Sequence, residues 1–341
     1  MTALKRMVTG LAAAAVAGLA PQANADAIED FYKGKNITMI IGTGPGGGYG
    51  LVSQIVARHM PKFIPGRPTI VLQYMPGGGG QKCHDYVYNV APRDGYTIAM
   101  PSDGIALAQR LRKVKYNARE FNALGRMERS PDVFVVMGRT GIRSLDGARK
   151  AKSIAIAATA KSSVSYMNAQ LAKELLGVPM KIVTGYRGTA SILLAMEKGE
   201  TDGYVWVWPT LAEKKPGWLK DGTVRVLAQV GINRLPDLPD VPLMQELTTD
   251  KDDQALFHFM ASKVEIGRHH SSPPGFPKAQ LAALRKAYMA MFKDPDFLAE
   301  AKKHKLSLAP LDGEGVQKVY DTMIDAPESV VARMKKVIGY N

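Results

Sequence analysis

Asn36-Ile37-Thr38-Met39-Ile40-Ile41-Gly42-Thr43-Gly44-Pro45-Gly46-Gly47-Gly48-Tyr49-Gly50 is an apolar, partly β-branched run that passes directly into glycines, and the helical pattern Leu51–Met60 follows it. A strand feeding a helix through a short glycine loop is half of a βαβ unit. The unit recurs. Strands are expected near Thr69–Tyr74 and Thr97–Met100, with a helix at Gln81–Asn89. A second series follows near Val133–Met137, Ser153–Ala157, Lys181–Val183, Tyr204–Trp208 and Val224–Val230, with helices at Val164–Leu176 and Ala190–Lys198. Strands alternating with helices predict an α/β chain with mainly parallel sheets.

Beyond the proline-rich stretch Pro236–Pro242 the pattern turns helical. One candidate strand lies near Lys263–Arg268, followed by helices over Lys278–Phe292, Pro295–Lys303 and Gly315–Gly339. Two α/β series and a helical tail predict two lobes with a ligand cleft between them, the first lobe being discontinuous. We assign residues 26–130 and 252–341 to lobe 1 and 131–251 to lobe 2. The gap between Leu111 and Val133 and the stretch Arg234–Pro242 are the expected crossings, because neither is strongly periodic.

The amino terminus has its own signature. Lys5 and Arg6 precede the apolar run Leu11–Leu19, and the segment closes on Ala23-Asn24-Ala25. This is the pattern of a signal peptide, residues 1–25, cleaved after Ala25. Export argues against chemistry that draws on cytoplasmic ATP or NAD(P)H, and no cofactor is expected. Cys83 is the single cysteine, so no intrachain disulfide can form; a small buried residue is the expected role, with a reactive thiol as the alternative.

The chain carries 45 Lys and Arg against 31 Asp and Glu, a net charge of +14. The basic residues are scattered, without an arginine-rich tract or interleaved stacking aromatics, so nucleic acid is not the expected partner. A diffuse positive field suits the capture of small anions.

The glycine loops supply the means. Backbone N–H groups at a helix N-terminus bind anions. Gly42, Gly44 and Gly47 also spell the dinucleotide pattern G-x-G-x-x-G, but the next strand ends Leu72-Gln73-Tyr74-Met75 with no acid for a ribose hydroxyl. Further strand-to-helix turns are Pro76-Gly77-Gly78-Gly79-Gly80 and Pro101-Ser102-Asp103-Gly104. The second series adds Thr159-Ala160-Lys161-Ser162-Ser163 and Thr184-Gly185-Tyr186-Arg187-Gly188-Thr189. In open α/β sheets such turns face one crevice. Ser162, Ser163 and Thr189 also serve as candidate N-caps. Along Gly203–Pro209, Tyr204, Trp206 and Trp208 share one face, and Trp208, then Trp206, are the expected apolar platform for a ligand.

These motifs, in order, resemble the periplasmic solute-binding proteins of tripartite tricarboxylate transporters, the Bug family. The similarity runs through Gly46–Tyr49, Pro76–Gly79, Asn89–Thr97, Thr184–Tyr186, Gly199–Gly203 with the tryptophans, and Leu235–Pro242. It implies a two-lobed, type II-like periplasmic-binding-protein fold that closes like a Venus flytrap on a small organic acid and delivers it to permease subunits. It also implies a periplasmic location; a monomer is expected. By position, the resemblance assigns ligand contacts to Gly46, Gly47, Gly48, Tyr49, Ser102, Asp103, Thr159, Ser162, Ser163, Tyr186, Arg187, Gly188 and Thr189. Two positions depart from the family pattern: Gly50 stands where an aspartate is usual, and Arg187 where a lysine or proline is frequent. Arg187 is therefore expected either to grip a carboxylate in bidentate fashion or to stand solvated on the cleft rim.

An exported carboxylate sensor and an exported hydrolase are the alternatives. The six histidines, His59, His84, His258, His269, His270 and His304, form no triad-like or metal-spaced set, and neither G-x-S-x-G nor H-E-x-x-H occurs.

Overall fold

The computed structural model describes residues 20–340. The expected signal peptide lies outside them, except for residues 20–25, which begin the helix Ala20–Tyr32. Eleven strands are present among the described residues: β1 (Asn36–Ile41), β2 (Thr69–Tyr74), β3 (Thr97–Met100), β4 (Asn122–Glu128), β5 (Asp132–Met137), β6 (Ile154–Ala157), β7 (Met180–Val183), β8 (Gly203–Val207), β9 (Val224–Val230), β10 (Arg268–Ser272) and β11 (Leu308–Asp312). They form two sheets, ordered β11-β4-β10-β3-β1-β2 and β7-β6-β8-β5-β9. The expected two-lobed α/β architecture is therefore present.

The sheets are mixed, not mainly parallel. β1 pairs in parallel with β2 and β3, and β6 with β7 and β8. β10 runs antiparallel to β3 and β4, β11 to β4, and β5 to β8 and β9. The antiparallel half of the first sheet escapes the sequence because its strands are polar. β10 reads Arg-His-His-Ser-Ser, yet all five residues are buried. β4 carries Arg126 and Glu128, both buried against opposite charges on Glu265 and Arg268. Hydrophobic periodicity has no means of finding strands whose buried groups are satisfied by ion pairs.

Other elements shift for local reasons. Lys263–Ile266 is a single helical turn and not a strand; it ends at Gly267, whose φ of +56° turns the chain into β10. Arg234–Pro242 does not link the sheets. It is clamped to β9 by Gln229, whose side-chain amide donates to the carbonyls of Leu238 and Val241 at 2.8 and 2.6 Å. The final helical stretch is two helices, Gly313–Ile324 and Glu328–Ile338, separated before Pro327.

The chain leaves the first sheet through Arg129-Ser130-Pro131, between β4 and β5, and re-enters it through the turn Lys263–Gly267. Apolar packing falls into three clusters. One lines the outer face of the first sheet, around Met39, Val52, Tyr288 and Phe297. Another lines the outer face of the second, around Trp206, Trp208 and Leu211. The third is shared: Ile105 and Leu107 join Met167, Leu171, Phe257, Tyr320 and Met334 in one continuous core behind both sheets.

Candidate functional site

The turns that leave the strands of the two sheets converge on one cavity of about 840 Å³. The first sheet contributes the loop Gly42–Tyr49 after β1, Pro76 and the glycines 77–80 after β2, and Ser102 and Asp103 after β3. The second contributes Thr159 and Ser163–Ser165 after β6, and Gly185–Ser191 after β7. The volume lies within the range that encloses a small organic molecule. The rims touch: Ser162 Oγ donates to the Gly78 carbonyl at 2.9 Å, and Gly79 packs against Ser163. Four successive glycines with positive φ, Gly77 to Gly80, let this loop lie flat on the opposite turn.

Two helix N-termini, one from each sheet's turns, line the cavity and lie close together, Gly46 and Gly47 beside Ala190 and Thr189. Gly48–His59 is preceded by Gly47, and Thr189–Lys198 by Gly188, and neither cap provides a side-chain hydrogen bond. Their first N–H groups are thus without a side-chain partner where they face the cavity. Ser163, in contrast, caps Val164–Leu176 by accepting from the Tyr166 N–H. Thr189, a candidate cap, is instead the first helical residue. Arg187 lines the cavity, is exposed, and has no acidic side chain within ion-pair distance among the described residues.

The floor is a buried ionic network that spans both chain crossings. Lys263 Nζ donates to Asp132 at 2.7 Å, to Asp103 at 3.0 Å and to the Ser130 carbonyl at 2.9 Å. Arg268 pairs with Glu128 and with the Thr210 hydroxyl. Each cation therefore holds a group of the first sheet and a group of the second. Burial opposes the charge on Lys263, but the two aspartates outweigh it and raise its pKa. Burial also pushes Asp103 up, yet Lys263 with the Ser130 and Tyr49 hydroxyls brings it below the ordinary carboxylate value. Asp132 has fewer donors, so burial prevails and its pKa rises to about 6. Gly48 belongs to this arrangement, because a methyl group there would sit 2.1 Å from the Arg268 guanidinium.

Of the residues expected from the sequence, Gly46, Gly47, Gly48, Tyr49, Ser102, Asp103, Thr159, Ser163, Tyr186, Arg187, Gly188 and Thr189 line the cavity. Ser162, Trp206 and Trp208 do not. Ser162 sits on the rim. β8 ends at Val207, and Trp208 starts a helix, so the strand alternation stops before it; its indole N–H donates to Asp237 at 3.1 Å. Trp206 is packed between Tyr204 and Trp218. Gly50 faces away: a methyl group there would meet the Pro45 carbonyl oxygen at 2.3 Å, so the loop has no room for an acid at this position. Asp132, Thr210, Lys263 and Arg268 line the cavity without having been singled out, and of the aromatic face of β8 it is Tyr204, not a tryptophan, that lines it. They lie at strand ends and on the return crossing, far in sequence from the glycine turns.

Ser102 lies 3.3 Å from His84 Nε2, but this is no nucleophile and base. That nitrogen already accepts the Ser102 N–H at 3.1 Å, and burial drives the His84 pKa down to about 3. Cys83 is buried against Gly42, and burial pushes its thiol up to about 12. His269 and His270 hydrogen-bond separately to Tyr320 and Tyr288. Among the described residues no group of three or more His, Cys, Asp or Glu is placed to hold a metal ion, and no helix is long and apolar enough to cross a membrane.

The sequence pattern of the tripartite tricarboxylate transporter family receptor matches residues 52–319. Solved structures similar to this chain include the periplasmic binding protein BugD, with TM-score 0.73 and 22% identity over 90% of this chain and 98% of that one. An R. palustris protein with adipate has TM-score 0.69 and 20% identity over 90% and 98%. MatC from Rhodopseudomonas palustris, with bound malate, has TM-score 0.68 and 19% identity over 89% and 99%. A comparison with curated protein sequences finds no match.

Proposed function

As this chain belongs to the tripartite tricarboxylate transporter family of receptors, we propose that it is a periplasmic solute-binding protein that captures a small carboxylate and delivers it to a transporter permease. Its family is one of receptors and not of enzymes. The observation that carries the choice of ligand is the pair of helix N-termini without side-chain caps, after Gly47 and Gly188, that come together in the cavity wall beside Arg187. Partial positive charge from each helix and a full charge on Arg187 meet in one enclosed space, and a carboxylate satisfies them. The adipate and malate held by two proteins of this fold support an acid as the ligand class.

The solute settles on the glycine turns of one lobe, and closure brings Tyr186–Thr189 onto it. The ligand shifts the population toward the closed form only by its preference for that form. A thermal-shift screen of the chain from Asp26 onward, refolded from denaturant and offered small carboxylates, tests the reading. A solute at about 100 times its Kd adds roughly 2.7 kcal/mol of stability. With that solute, Arg187→Ala should weaken binding by about 2–5 kcal/mol in a calorimetric titration. An unchanged Kd retires the Arg187 contact, and silence toward every acid retires the carboxylate.

A further inference from the structure

Asp132 opens β5 and is 3% exposed, yet it forms part of the cavity wall. Both of its donors, Lys263 Nζ at 2.7 Å and Asn168 Nδ2 at 2.9 Å, attach to Oδ2. Its Oδ1 has no hydrogen-bond partner among the described residues. Asp103, the other aspartate of the floor, is served by Ser130, Lys263 and Tyr49. Lys263 spends its three protons on Asp103, Asp132 and the Ser130 carbonyl, and Arg268 is engaged by Glu128 and Thr210. Among the charged groups of the wall, Asp132 Oδ1 and Arg268 Nε on the floor and Arg187 on the second lobe are left without a partner among the described residues. Oδ1 is thus open to the cavity and free to accept a hydrogen bond from a molecule bound there.

We propose that Asp132 Oδ1 is a specificity-determining acceptor, and that the solute is a carboxylate that also carries a hydroxyl or amino group to donate to it. The inference rests on the carboxylate reading above and narrows it. A plain acid of the same skeleton leaves Oδ1 desolvated without a partner, and a site built to hydrogen-bond a polar group discriminates strongly against the analogue that lacks it.

Asp132→Asn isolates the effect. The amide has the same size, and its carbonyl keeps the contacts with Lys263 and Asn168. Its NH2 then turns to the cavity, so an acceptor becomes a donor. Binding is measured by calorimetry at pH 8 with succinate, malate and aspartate, which carry H, OH and ammonium on one skeleton, and with tricarballylate and citrate. In the native protein a donor-bearing acid should bind more tightly than its plain partner by about tenfold or more. In the variant that preference should fall to within about twofold. A preference that survives Asp132→Asn overturns the proposal, and so does a plain acid as the tightest ligand of the screen. Malate against aspartate tells hydroxyl from ammonium.

If the variant does not fold, the native protein gives the answer. The groups that bear on Asp132 are Lys263, Asp103, Asn168 and the neutral Tyr204. With its pKa at about 6, Asp132 is ionised at pH 8 and largely protonated at pH 5, so the preference should shrink at pH 5. In the native protein at pH 8, a donor-bearing acid that binds no more tightly than its plain partner overturns the proposal. Silence toward all acids ends the carboxylate reading and this inference together, whereas tight binding of a plain acid ends this inference alone.

Discussion

Three histidines sit in the interior without charge. Burial lowers His84 and His270 to about 3 and His269 to about 4. Because each folded-state value lies below the ordinary imidazole value, the unfolded chain binds more protons between about pH 6.5 and 4. Stability contributed by the neutral rings is complete above that window and is lost as the pH falls through it. Asp132 acts in the opposite sense, since its raised value makes the folded state bind a proton more tightly as the pH drops below about 6. Glu128, whose carboxyl burial also raises, acts in the same sense as Asp132, so three histidines are set against two acids and the histidines prevail. Urea midpoints should therefore fall steeply from pH 6.5 to 4.5, and a flat profile would show the histidines to be protonated in the native protein. At this scale the sequence exposes the glycine and hydroxyl turns, because turn chemistry is local. It hides Asp132, Lys263 and Arg268, which reach the cavity only through pairings between positions more than a hundred residues apart.

The elements around the cavity depend on how closely backbone can approach backbone. Gly44 lies in the loop and Gly50 in the first turn of the helix it feeds; a methyl group on Gly50 would meet the Pro45 carbonyl at 2.3 Å, whereas nothing lies within 4 Å of one on Gly44. Gly50→Ala should cost about 3 kcal/mol or more, because a carbonyl and not a flexible side chain must move. Gly44→Ala should stay within about 0.5 kcal/mol. Chemical denaturation of both variants checks the contrast; equal losses would mean that the loop is held by something other than this contact. The loop illustrates what a resemblance carries and what it does not. Strand, glycine run and helix are legible from residues 36–60, and the family pattern suggests an acid at position 50. Only the fold of Gly42–Gly48 over Gly50 shows that no side chain fits there. β4 and β10 are the reverse case, strands without an apolar signature whose charges and rings are satisfied by partners distant in sequence.

On the scale of the molecule, both crossings run through the cavity floor. Glu128 and Asp132 flank the outward crossing, Lys263 and Arg268 flank the return, and each acid meets a cation of the other. Under the proposed hinge closure the pivot would therefore lie in the cavity floor, beside Asp132. The helix Glu328–Ile338 packs on Ile105–Leu111 below the first sheet and on Val164–Leu176 below the second, within the shared core. That core has a consequence for how the chain comes apart. Two domains joined by a linker melt in two steps, but here neither lobe can lose its inner face without stripping the other. The protein should melt as one cooperative unit, with a calorimetric enthalpy equal to the van't Hoff enthalpy despite its two sheets. A lesion in either half would then lower the same single transition.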